Sequence, residues 1–171
     1  MESTTGLINH LKEKKYSIKV HHHAPLHTVE DSKKLRGEIE GAHTKNLFLK
    51  NKKQNFFLLS CEEEERVDLK KISKSLNLGN ISFAKDEYLM EHLGVSPGSV
   101  SPFALINDKK NIVGFYLEEA LYKSNFINFH PMTNTQTITI LTSQFIEFMI
   151  EINKKIHIFS STKGNILKSY G

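Results

Sequence analysis

The chain is poor in the residues that staple or punctuate a protein: its 171 residues include one cysteine, four prolines and nine glycines. The lone thiol, Cys61, closes no intrachain disulfide and has no second thiol near it for zinc. Disulfide scaffolds, zinc ribbons and thioredoxin-like redox sites are therefore excluded, and a reducing compartment is expected. No run approaches the roughly 18 consecutive apolar residues of a membrane span; the densest, Phe145 to Ile152, is broken by Glu147 and Glu151. Met1 to Lys15 lacks the apolar core of a secretory signal and carries both signs of charge, unlike an acid-poor transit peptide, so the expected address is the cytoplasm, away from membranes. Internal repeats, low-complexity tracts and Pro/Gly-rich linkers are missing too, which leaves one domain over residues 1–171 as the expectation.

What is present is an ordinary globular composition, 39% hydrophobic and 25% charged, with a formal charge of +4 and a pI near 9.0. A chain of this size buries roughly 70% of its unfolded surface with no metal or disulfide. The basic excess is N-terminal: residues up to Ser75 hold 15 Lys/Arg and 11 Asp/Glu, those after it 8 of each. Lys19, Lys33, Lys34, Arg36, Lys50, Lys52 and Lys53 are either solvated surface or a diffuse footprint for a nucleic-acid backbone. The acidic run Glu62 to Glu65 argues against a uniformly basic face.

Periodicity predicts helices over Gly6–Lys15, Val29–Arg36, Asp68–Leu76, Asp86–Leu93 and Thr142–Asn153. Thr28 and Asp31 form a capping box at the second of these. Strands are expected over Tyr16–His22, Leu47–Lys50, Asn55–Ser60, Phe103–Ile106, Ile112–Leu117, Phe126–Phe129 and Thr135–Leu141, with Lys155–Ser160 as the last. Asn51–Gln54 reads as a hairpin turn. Helices and strands interleave without a strict βαβ repeat, which favours an α+β domain whose core is a mixed, largely antiparallel sheet, or barrel-like, flanked by helices.

Four segments could carry chemistry. Leu93–Phe103, LGVSPGSVSPF, is a shaped loop in which Pro97-Gly98 fits a type II turn. Either it is a structural connection, or Gly98 and Ser99 present main-chain N–H groups to an anion or polarised carbonyl. In Gly41–Asn46, GAHTKN, Lys45 is a surface lysine or a compact cation placed at a strand edge beside phosphate or a developing oxyanion. In Asn128–Thr137, NFHPMTNTQT, His130 sits at a strand end fixed by Pro131, as a structural hydrogen-bonder or a base. In the cluster His21, His22, His23 and His27, the last two have helical metal-ligand spacing, but Pro25 breaks the helix and HExxH is absent, so no metal is expected. Cys61 precedes four glutamates, a setting that raises a thiol pKa and makes it a poor nucleophile.

Taken in order, HAPLHTVE (His23–Glu30), GAHTKNLFL, LGVSPGSVSPFAL and NFHPMTNTQT resemble the YbaK/ProX family of aminoacyl-tRNA deacylases over about residues 15 to 155, and within it the free-standing alanyl-tRNA(Pro) editing branch. The resemblance implies an α+β editing domain that hydrolyses mischarged Ala-tRNA(Pro) in trans without a cofactor; the alternatives are a Cys-tRNA(Pro) deacylase and a non-catalytic tRNA- or synthetase-binding module. It places Lys45, with Asn46, at the 3′-terminal adenosine, and wraps the main chain of Gly98 to Ser101, including Ser99 and Ser101, around the ester with His130 nearby. Val95, Pro97 and Val100 of the loop, with Ile18, Val20, Leu47 and Met132, are the expected substrate pocket. The seven basic residues named above become a shoulder for the acceptor stem of tRNA(Pro), the 3′-CCA end reaching the site. Prolyl-tRNA synthetase is the expected protein partner, and DNA is not expected. A pocket for proline cannot exclude alanine by size, since a missing methylene is worth only about 1–3 kcal/mol, so a second, smaller pocket is the expected device.

Overall fold

A computed structural model describes residues 1–26, 29–36 and 39–171; of residues 29, 32, 35 and 36 only the main chain is described. The expected cap at Thr28, together with His27 and Gly37, lies outside the described residues.

Helix α1 (Thr4–Glu13) is capped by Ser3, whose hydroxyl accepts from the Gly6 amide, and buries Leu7 and Leu11. Strand β1 (Ile18–His22) leads to α2 (Val29–Arg36). Then come β2 (Ala42–Lys50) and β3 (Phe56–Glu62), the expected hairpin, with β2 starting five residues earlier than its apolar run suggested. Next are α3 (Leu69–Ser75), β4 (Ser82–Phe83) and α4 (Asp86–Leu93), followed by a 3₁₀ turn over Pro102–Asn107. The chain closes with β5 (Val113–Glu118), α5 (Glu119–Lys123), β6 (Phe126–Phe129), β7 (Gln136–Leu141), α6 (Thr142–Glu151), β8 (Ile156–Phe159) and β9 (Ile166–Tyr170).

The strands form one mixed sheet in the order β1-β7-β6-β2-β3-β5-β8-β9, with β4 also on β2. Alternation turns Ile127, Phe129, Ile138 and Ile140 to one face, where Phe103, Phe145 and Phe148 meet them in the main core. Phe103 packs edge-on against Phe129, ring centroids 5.9 Å apart, an arrangement worth about 0.5–1.5 kcal/mol beyond its buried area. A smaller core of Leu49, Leu59, Ile72 and Phe159 lies on the other face.

Three expectations are corrected. Phe103–Ile106 is a 3₁₀ turn and not a strand, because Ser101 caps it and Pro102 occupies its first turn; a helix-start signature outweighs local β propensity. Lys155–Ser160 is not the final strand, since β9 pairs antiparallel with β8. Gly98 is not among the glycines with positive φ, so the bend, closed by the Ser99 amide on the Ser96 carbonyl at 3.0 Å, is not the expected type II turn.

What positions the site is a gap along β2. On one side β2 pairs with β3 from Thr44 to Lys50. On the other it runs parallel to β6 only at Ala42 and His43 and antiparallel to β4 only at Leu49 and Lys50. Between these pairings the edge has no strand beside it among the described residues. Since the Phe48 carbonyl accepts from the Ala84 amide on that side, strand alternation turns the main-chain N–H and C=O of Asn46 into the gap as well.

Candidate active site

The gap opens into a groove of about 410 Å³. Thr44 to Phe48 of β2 form its back, Phe83, Ala84, Asp86 and Leu89 one wall, and Pro97, Gly98, Val100 and His130 the other. It falls in the size range of small-ligand sites, roughly 300–1,000 Å³, and its lining is apolar except for a few convergent polar groups.

Lys45 is half-buried, and its ammonium donates to the carbonyl of Glu65. The acidic run is therefore a holder for the lysine. Its first residue is fixed by buried Glu118, whose carboxylate accepts the Glu62 amide at 2.8 Å, and the turn is closed by the Glu65 amide on the Glu62 carbonyl. The Asn46 side-chain carbonyl oxygen accepts from the Ser60 hydroxyl at 2.5 Å, which ties that side chain to β3, while the Asn46 main chain faces the gap.

The start of β2 is anchored by two features. Gly41 has φ +97°, and a Cβ there would lie 2.9 Å from the Phe126 side chain, so only glycine brings β2 against β6. Asn128 is fully buried and bonds the carbonyls of Glu40 and Ala42 through its amide while accepting from Thr139. Two residues on, the His130 Nδ1–H donates to the Gln136 carbonyl at 2.8 Å. That bond leaves Nε2 as the ring's free acceptor. Burial, opposed by the Gln136 carbonyl, reinforced by His23 and opposed again by Glu63, holds His130 below its ordinary pKa of 6.5, so the ring is neutral at pH 7.

The loop is divided between groove and interior. Pro97, Gly98 and Val100 face the groove, whereas Val95, Ser99 and Ser101 are turned inward and buried. Ser101 caps the 3₁₀ turn through the Phe103 amide at 3.1 Å, and the Ser99 amide is used within the bend. Of the expected loop residues, Gly98 and Val100 line the groove and Ser99 and Ser101 do not.

Leu47 lines the groove as expected; Ile18, Val20 and Met132 do not. Ile18 and Val20 lie opposite Ile140 and Ile138 on the core face of the sheet. Met132, at φ +64°, packs on the core with its sulfur against the Asn107 amide. Besides the expected Leu47, Pro97 and Val100, apolar walls come from Phe48, Phe83, Ala84 and Leu89, the last three on elements that carry no local sign of a site.

The basic shoulder is split. Lys50, over the Tyr88 ring at 5.6 Å, and exposed Lys52 and Lys53 cluster at the β2–β3 turn, beside the groove's β4 wall. Exposed Lys19 sits on β1, across β6 and β7 from β2, and exposed Lys33 and Lys34 lie on α2. The Arg36 side chain lies outside the described residues. His21 and His23 bond Thr139 and Thr137 at 3.1 and 2.9 Å, and among the described residues no three His, Cys, Asp or Glu side chains are placed to hold a metal. Burial pushes the Cys61 thiol up to about 12, which makes it inert as a nucleophile at neutral pH. No helix among the described residues is long and apolar enough to cross a membrane.

Burial lowers the pKa of His21 and His157 as well as His130. Below about pH 6.5, the ordinary histidine value, the unfolded chain binds protons that the folded chain resists. Stability is therefore fully present above that pH and lost as pH falls. Urea midpoints should drop between pH 7.5 and 5.5, and His130→Gln should flatten that drop.

Residues 23–148 match the aminoacyl-tRNA editing domain family. The chain is 36% identical over 132 residues to the prolyl-tRNA synthetase associated domain-containing protein 1 of Xenopus laevis, covering 74% of this chain and 78% of that one. It is 27% identical over 154 residues to the prolyl-tRNA editing protein ProX of Acetoanaerobium sticklandii, covering 90% and 93%. Its fold superimposes on the crystal structure of a candidate trans-editing enzyme for prolyl tRNA synthetase with a TM-score of 0.67 at 16% identity, covering 98% and 99%.

Proposed function

Since the chain belongs to the aminoacyl-tRNA editing domain family, among its YbaK/ProX-like members, we propose that it hydrolyses the ester of mischarged Ala-tRNA(Pro), releasing alanine and free tRNA. The observation that carries this reading is the convergence of Lys45, the Gly98 loop and His130 on one small groove beside an unpaired strand edge.

An aminoacyl ester is already activated, so positioning and charge stabilisation suffice. Water attacks the ester carbonyl and its oxygen bonds to that carbon; the bond to the terminal ribose oxygen breaks, and a proton passes to that oxygen. The Gly98 N–H, with that of Val100, faces the developing oxyanion. Lys45, steadied by Glu65, holds the terminal nucleotide through its phosphate. His130, neutral and with Nε2 free, accepts from the free ribose hydroxyl, which orients the water. No cofactor takes part. Lys50, Lys52 and Lys53 sit where they can meet the acceptor stem, and a short encounter with prolyl-tRNA synthetase would deliver the tRNA.

Selection is by size. Leu47, Leu89 and Val100 narrow the groove to a small side chain and turn prolyl esters away, leaving correctly charged tRNA intact. Leu89→Ala, which removes three carbons from the wall, should raise the rate on Ser-tRNA(Pro) or Pro-tRNA(Pro) relative to Ala-tRNA(Pro) by about tenfold, one methylene or two being worth about 1–3 kcal/mol each; an unchanged ratio refutes Leu89 as part of the sieve.

Turnover tests the reading itself. Protein at a small fraction of the Ala-tRNA(Pro) concentration should release alanine until the ester is gone, whereas a binding module would at most protect an equimolar share.

A further inference from the structure

Phe83 is the one exposed ring in an otherwise buried set. The chain has 11 Phe and 5 Tyr, all at described positions, and every other one is buried or half-buried. Phe83 is 62% exposed, belongs to neither core cluster and enters none of the ring pairs that knit the interior. It is nevertheless held firmly. Strand β4 pins it opposite Leu49, and the next amide, Ala84, donates to the Phe48 carbonyl at 2.9 Å. Residues directly opposite in an antiparallel pair share a face, so Phe83 lies on the Leu49 face, which by alternation is also the face of Lys45 and Leu47. It lines the same groove as those two.

We propose that the Phe83 ring is the stacking platform for the terminal base of the RNA 3′ end. An unpaired terminal nucleotide is recognised chiefly by its phosphate and by the flat face of its base. Stacking on an aromatic side chain accepts any base and needs no hydrogen-bond partner. Lys45 supplies the cation and Phe83 the flat apolar surface, along one face of the sheet, so a nucleoside lying between them carries its ester toward Gly98 and His130. A rigid two-residue strand paired to β2 holds the ring in place before the substrate arrives, which lowers the ordering cost of binding. Lys50, paired with Ser82 on the same short strand, adds positive charge on the side from which the preceding phosphates approach. This assignment rests on the editing reading for its substrate, but its first test does not need turnover.

The chain has no tryptophan, so Phe83→Trp places a single fluorophore at the platform, and Ile150→Trp places one at an exposed position on α6 as a control. Titrated with the trinucleotide CCA, Phe83→Trp should be quenched saturably. The same trinucleotide lacking its terminal base should leave it unchanged, and Ile150→Trp should respond to neither. In turnover, Phe83→Ala should raise KM for aminoacyl-tRNA about tenfold with kcat within about twofold, and Phe83→Tyr should restore KM, given the typical worth of one stacked base. Removing the terminal base of the substrate should raise KM for wild type and not for Phe83→Ala. Equal quenching by the two trinucleotides, or a KM penalty for the abasic substrate that persists in Phe83→Ala, overturns the platform. If wild type hydrolyses no aminoacyl-tRNA at all, the editing reading fails instead, and the fluorescence titration still decides whether the ring stacks a base.

Discussion

Lys45→Ala is expected to lower kcat/KM for ester hydrolysis by at least about a hundredfold, the scale on which loss of one preorganised charge-stabilising group is felt. The fold should survive. Lys45 gives up one hydrogen bond, to the Glu65 carbonyl at the half-buried margin of the groove, a loss of no more than about 3 kcal/mol for a charged donor, or at most roughly 12 °C in Tm for a chain of this size. Activity and stability are thus predicted to separate. Lys45→Arg is informative in the same assay. The planar guanidinium is longer and cannot occupy the ammonium's place against Glu65, so it should recover binding of the nucleotide better than turnover. A Lys45→Ala protein that unfolds, or one that turns over near the wild-type rate, contradicts the role given to the lysine.

The largest effect on stability is expected far from the groove. Lys154 and Asp108 are an ion pair with both side chains 2% exposed. Lys154 also reaches Asn111 Oδ1 at 2.8 Å, while the Asp108 carboxylate accepts the Ile112 and Val113 amides at 3.1 and 2.9 Å. The pair closes the turn between the 3₁₀ segment and β5 and ties it to the start of β8. Desolvation pulls the Lys154 pKa down, and Asp108 opposes that. Lys154→Met leaves a carboxylate buried without its cation, which costs about 3–5 kcal/mol and should lower Tm by roughly 6–20 °C. Lys154→Met combined with Asp108→Asn removes the charge and keeps one of the two carboxylate acceptors for the turn amides, its NH2 facing the other amide, and should recover part of the loss. If the double variant is as unstable as the single one, packing and not charge governs the site.

The sequence shows the groove's polar members more clearly than its walls, for physical reasons. Lys45, Pro97, Gly98 and His130 stand beside turns, prolines and glycines that mark unusual backbone, and all four reach the groove. Phe83, Asp86 and Leu89 come from a two-residue strand and an ordinary amphipathic helix, whose local pattern is the same whether or not a groove lies beside them. Ile18, Val20 and Met132 stand near the motifs along the chain, but strand alternation and a core contact turn them inward. Val95, Ser99 and Ser101 are likewise turned to the interior of a loop whose Pro97, Gly98 and Val100 face the groove. The overall α+β character and most elements follow from periodicity and caps. Phe103–Ile106 does not, because the Ser101 cap and Pro102 in the first turn override the local β propensity of its residues. The mostly exposed β9 is stabilised by pairing with β8, a tertiary cause with no local trace.

Initial rates on one tRNA(Pro) charged in turn with Ala, Cys, Ser and Pro, at one catalytic concentration of wild-type protein, test the central claim most directly. Ala-tRNA(Pro) should be hydrolysed fastest, with Pro-tRNA(Pro) at least about a hundredfold slower, two steps of size discrimination. Preference for Cys-tRNA(Pro) would move the protein to the neighbouring specificity, and hydrolysis of none of the four would contradict an editing deacylase altogether.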